Sequence, residues 1–152
     1  GAKGDVKAIA NDYFRLLSEG YFKMDGADDI LRYLNDKGYK LYATTNGIAL
    51  TQFKRIKNSG IEPYFDDIFV SEAAGHQKPE KEYFEFVMSR IPEKDKSKML
   101  IVGDSQSSDI LGGINAGIKT CWFNPKKKSL TGNVVPDFEI SELSDFLEIL
   151  KK

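Results

Sequence analysis

Two aspartates stand five residues apart in Gly103-Asp104-Ser105-Gln106-Ser107-Ser108-Asp109, directly after the apolar run at residues 99–102. A buried strand that delivers carboxylates into a glycine- and serine-rich turn can hold a hard divalent cation, because Mg²⁺ is bound by one or two carboxylates plus phosphate and water. Asp104 sits at the strand end and is the first candidate ligand. Asp109 either joins the coordination shell, orients its waters, or only opens the following helix against its dipole. Ser105, Ser107 and Ser108 are turn and cap residues and receive no catalytic role.

Two further groups lie upstream. Thr44-Thr45-Asn46-Gly47 follows a strand. The Thr45 hydroxyl and the backbone N–H groups around Asn46 can receive phosphate oxygens, and Gly47 permits close backbone approach. Lys78 precedes Pro79 and is therefore held toward an extended backbone. A lysine positioned in this way can neutralise charge on a phosphoryl group. The sole histidine, His76, lacks a sequence partner for nucleophilic or zinc chemistry and receives no role.

The elements that must position these groups alternate. Helices are expected over residues 6–21, Ala27–Asp36, 50–59, Lys81–Arg90, 109–116 and 143–150, from apolar spacing and glycine or proline stops. Strands are expected over residues 39–45, Asp67–Val70, 98–103, Lys119–Phe123 and Phe138–Ile140. This alternation predicts βαβ units and a parallel sheet. Ligands then bind beyond the carboxyl ends of the strands, where Thr45 and Asp104 both lie. The aromatic residues of the helix from Lys81, and Cys121-Trp122-Phe123, are expected in the core.

The 152 residues suffice for one domain with a real core. A net charge of −1 gives no field that favours nucleic acid or an anionic membrane. No apolar run is long enough to span a bilayer. A single cysteine excludes an internal disulfide, and the expected setting is cytoplasmic. The opening Gly1-Ala2-Lys3-Gly4 reads as an expression remnant or an internal cut.

Together, Thr45-Asn46, Lys78-Pro79 and Gly103-Asp104 through Asp109 resemble the second, third and fourth motifs of the haloacid dehalogenase superfamily of phosphohydrolases. The run from Asp109 to Ile118, with Thr120 to Asn124, is similar to its pyrimidine 5′-nucleotidase-like branch. The similarity extends from about Phe22 to the C-terminus. It implies an α/β, three-layer Rossmann-like core with a parallel sheet over residues 25–152. It also implies Mg²⁺-dependent hydrolysis of a small phosphorylated metabolite, with a nucleoside monophosphate as the candidate. Carried over, Thr45 and Asn46 bind phosphate, Lys78 steadies nucleophile and phosphate, Asp104 binds Mg²⁺, and Asp109 supports it.

The family's first motif, Asp-x-Asp-x-Thr, supplies the nucleophile and the general acid, and it does not occur in this sequence. Residues 6–21 therefore resemble the last helix of a cap domain, with residues 1–24 as the cap remnant, and the core is expected to lack its first central strand. Alone, such a chain is expected to be inactive. A missing N-terminal segment or a second chain would complete the sheet, because two apolar edges would otherwise stay unpaired. One rival places a nucleophile at Asp12, although Tyr13-Phe14 then lacks the second aspartate and the threonine. A non-catalytic phosphate- or metal-binding domain is the competing function. A phospho-receiver fits poorly, since its acceptor aspartate should precede the threonine and lysine. A dinucleotide-binding fold lacks its glycine motif.

Overall fold

The computed structural model describes residues 13, 15–20 and 22–151. Asp12 and most of the expected first helix lie outside the described residues, while residues 15–19 are helical. The elements in order are α1 (Ala27–Asp36), β1 (Tyr42–Thr45), α2 (Ala49–Asn58), β2 (Asp67–Val70), α3 (Ser71–Ala74), α4 (Lys81–Arg90), β3 (Leu100–Gly103), α5 (Leu111–Ala116), β4 (Lys119–Phe123), β5 (Phe138–Ile140) and α6 (Phe146–Ile149). Among the described residues, no helix is long and apolar enough to cross a membrane.

Among the described residues, all strand pairs are parallel, and they form two sheets. β1 pairs with β2, with Thr45 opposite Val70. β3, β4 and β5 form the second sheet, with Gly103 opposite Trp122 and Phe123 opposite Ile140. β1 and β3 are not paired with each other.

Side-chain alternation along the strands builds a core on each face. On one face Ile30 and Leu34 of α1 pack with Cys121, Ile140 and Phe146. On the other, Tyr83, Phe84 and Val87 of α4 pack with Phe69, Ile101 and Ala116. Helices thus cover both faces of the second sheet, and the three-layer expectation holds. Two glycines let α5 lie against its neighbours. A Cβ on Gly113 would stand 2.6 Å from both Ile101 and Thr120, and one on Gly112 would stand 2.5 Å from the Phe84 ring.

Some boundaries differ from the sequence reading. β1 begins at Tyr42 rather than at residue 39, because Tyr39 N–H still closes α1 on Leu34 O and Leu41 N–H donates to the Asp66 side chain. The expected helix over residues 109–116 divides into a wide π turn at Gln106–Ile110 and α5 proper. α3 was not expected, and a four-residue helix ended by Gly75 at φ 70° carries little periodic signal. The last helix is preceded by a tight turn at Leu143–Asp145.

Candidate active site

The carboxyl ends of β1 and β3 face one rim, and the loop ahead of α4 enters between them. Lys78 Nζ donates to Asp109 Oδ1 at 2.6 Å and to Thr44 O at 2.8 Å. Both side chains of this ion pair are buried, at 7% and 9% exposure. A buried pair holds only when its remaining polar atoms are satisfied. Here the other Asp109 oxygen, Oδ2, accepts the Ser105 N–H at 3.1 Å. The π turn makes this possible by sending the N–H groups of Asp109 and Ile110 to Ser105 O, at 2.9 and 3.1 Å. Gly103 leaves room for it, since a Cβ there would lie 2.3 Å from the Asp109 carboxylate. Asp109 is therefore not a solvated helix start. It faces the lysine.

Asn46 holds the lysine loop from the other side. Its Oδ1 accepts the Lys78 N–H at 2.9 Å, and its Nδ2 donates to Lys78 O at 3.0 Å. The Asn46 side chain is thus spent on the backbone of Lys78. In the same turn, Gly47 N–H donates to Ser71 Oγ at 2.9 Å, and the half-buried Thr45 hydroxyl contacts Asn46 O at 3.3 Å. Beneath them lies Tyr83, fully buried, donating to Phe69 O at 2.8 Å. Burial pushes its hydroxyl well above the ordinary tyrosine range, so it stays a neutral donor beside Thr45.

Asp104 is exposed. Its carbonyl oxygen accepts the buried Trp122 indole N–H at 3.1 Å, which anchors the backbone while the carboxylate faces solvent. The structure thus brings Thr45, Asn46, Lys78 and Asp109 into one connected network, with Asp104 at its edge. The exposed Asp104 carboxylate is an oxygen donor of the kind that suits a hard divalent cation, whereas both Asp109 oxygens are already taken, by the Lys78 ammonium and the Ser105 N–H.

Sequence reasoning passed over two residues of this rim. Gln106 ties the loop after β4 to the aspartate turn: its Oε1 accepts Thr131 N–H and Oγ1, both at 2.8 Å, and its Nε2 donates to Ser129 O at 3.1 Å. Asn124, 2% exposed, donates to Lys128 O and to Glu139 Oε1, at 2.9 and 2.7 Å. A glutamine in a turn carries no local signal for such a partner. The expected core residues are where their pattern put them. Trp122 and Cys121 are buried, and burial pushes the Cys121 thiol up to about 12.

A family model described as haloacid dehalogenase-like hydrolase matches residues 3–123. The HAD-hydrolase YfnB of Bacillus subtilis (strain 168) is 44% identical over 150 residues, covering 99% of this chain and 63% of that protein. The pyrimidine 5′-nucleotidase PynA of Streptococcus pneumoniae (strain ATCC BAA-255 / R6) is 38% identical, covering 100% and 64%. The chain therefore spans somewhat under two thirds of the length of these relatives. Among solved structures, Bacillus subtilis YfnB bound to magnesium superposes with a TM-score of 0.94 at 43% identity, covering 100% of this chain and 66% of that one. A HAD phosphatase from Thermococcus onnurineus gives 0.80 at 28% identity, covering 91% and 64%.

Proposed function

The chain belongs to the haloacid dehalogenase-like hydrolase family, and from that premise we propose that it supplies the phosphate- and metal-binding part of a Mg²⁺-dependent phosphate monoester hydrolase. The observation that carries this reading is the buried 2.6 Å pair of Lys78 and Asp109 at the shared rim of β1 and β3. In this reading the Thr45 hydroxyl and the Asn46 backbone N–H receive phosphate oxygens. The Lys78 ammonium stands ready for the charge that grows on the phosphoryl group, and it needs no reorganisation because Asp109 and Thr44 already hold it while Asn46 holds the Lys78 backbone. Asp104 holds the metal ion, with Asp109 in support. When bound, Mg²⁺ would supply further charge neutralisation at the phosphate.

The nucleophilic carboxylate is proposed to come from outside these 152 residues, in which no Asp-x-Asp-x-Thr occurs. The separation of β1 from β3 supports this, since each has one edge without a strand partner among the described residues. Residues 1–24 are read as cap and residues 25–152 as core. A nucleoside monophosphate is the proposed substrate, supported by two relatives named as pyrimidine 5′-nucleotidases. A cytoplasmic setting is part of the same proposal, supported by the single, unpaired Cys121.

The test is binding of inorganic phosphate with Mg²⁺, alongside Mg²⁺-dependent hydrolysis of an aryl phosphate, by the 152-residue chain of verified intact mass. Asp104→Asn serves as the control for both. The expected result is Mg²⁺-linked phosphate binding that Asp104→Asn weakens, with no turnover above that control. Turnover abolished by Asp104→Asn would place the nucleophile within the chain, with Asp12 as the first suspect. Phosphate binding indifferent to Mg²⁺ and to Asp104 would overturn the assignment of the site.

A further inference from the structure

Outside the phosphate site, three exposed side chains meet at the entry to α4. His76, Glu80 and Glu82 each offer one ligand atom, and these atoms all lie within 4.8 Å of one another. His76 Nδ1 and Glu80 Oε2 stand 3.3 Å apart. That is about the donor–donor edge of a tetrahedral site with bonds of ~2.0–2.1 Å. Glu80 occupies the N-cap position of α4, yet its carboxylate makes no bond to the helix N–H groups. It turns back to His76 and to the Gln77 N–H at 3.4 Å. Lys81, between the two glutamates in sequence, reaches away to Glu85 at 3.0 Å rather than into the cluster.

The platform beneath these groups is set before any ion arrives. Lys78, midway between His76 and Glu80, has both its backbone N–H and its carbonyl held by Asn46. The Glu80 N–H closes a turn on Gln77 O at 2.8 Å. A site therefore needs only side-chain rotation, not backbone movement.

We propose that His76, Glu80 and Glu82 form a surface site for a divalent ion of the zinc class (Zn²⁺, Co²⁺ or Ni²⁺), distinct from the site at Asp104. One imidazole nitrogen with two carboxylate oxygens suits such ions, whereas Mg²⁺ takes oxygen ligands and keeps its water. An ion held there ties the loop ahead of Lys78 to the first turn of α4, and so braces the segment that carries the lysine.

The chain suits a clean test. It has one histidine and one cysteine, and the buried Cys121, its thiol pushed up to about 12, does not compete for metal. Zn²⁺ is titrated calorimetrically into the full chain with Mg²⁺ saturating, and the imidazole resonances of His76 are followed by NMR. The expected result is one equivalent bound, movement of the His76 signals, and an affinity loss of about tenfold or more in both His76→Ala and Glu82→Gln. Unchanged affinity in either variant overturns the proposal. So do imidazole signals that stay still in the wild-type chain, a readout that needs no variant. Neither outcome depends on catalysis.

Discussion

The two sheets differ in how completely they are covered. β4 is buried along its centre, and the residues around it close two cores, with Cys121 and Ile140 on one face and Ile101 on the other. β1 is only half-buried at each of its four positions. The helix after it, α2, buries Thr51 alone, while Leu50 and Phe53 remain 67% and 42% exposed. Val102, in the middle of β3, is also 41% exposed. No ladder joins β1 to β3. The connection instead runs through Lys78, Asp109 and Asn46 and through the apolar face of α4. Polar groups thus span the seam where backbone pairing does not, and the same groups make up the candidate site.

The largest expected break is at that seam. Lys78→Met leaves the Asp109 carboxylate buried without its cation and is expected to cost about 3–5 kcal/mol of stability, read by urea unfolding. Adding Asp109→Leu should restore most of the loss. If the double variant is no better than the single one, the pair does not couple the halves as described. Within the covered half, Ile101→Ala is expected to cost about 2–4 kcal/mol by opening a cavity under α5. Asn46→Ala removes both bonds to the Lys78 backbone at a cost of about 1–2 kcal/mol, and should speed amide exchange around Lys78. Leu50→Ala, in the open half, should change stability by less than about 0.5 kcal/mol. A Leu50 effect as large as that of Ile101 would erase the contrast between the halves.

The smallest effect is a pH dependence in the open half. The Lys40 ammonium, at 2.7 Å, and the Leu41 N–H hold the Asp66 carboxyl below the usual aspartate range. A carboxyl lowered by folding stabilises the fold above its unfolded value, and that contribution is lost as pH falls through the lowered value. Asp66→Asn should therefore flatten the acid side of a Tm-against-pH profile and leave the neutral side nearly level.

Much of this molecule follows from local order along the chain. Alternating apolar periods set the order of strands and helices and the parallel sheet, because burial of a strand or a helix face depends on neighbours a few residues away. Thr45 and Asp104 stand at strand ends and Lys78 in the loop ahead of α4, so residue type and place suffice to name them as candidates, while their roles come from the family resemblance. Contacts between distant segments could not be named in this way. Lys78 and Asp109 are 31 residues apart, and that their charges meet rather than face water depends on the π turn and on the space left by Gly103. Asn46 has the same composition whether its amide faces a ligand or the Lys78 backbone, and only the approach of the second loop selects the latter. His76 had no partner in the linear reading, and Glu80 joins it only because that side chain turns back from α4. Sequence determined which groups arrive at the rim, through local hydrophobic burial. Tertiary structure decided which of them touch, because desolvated charges and amides take whatever partner the packed backbone brings within reach.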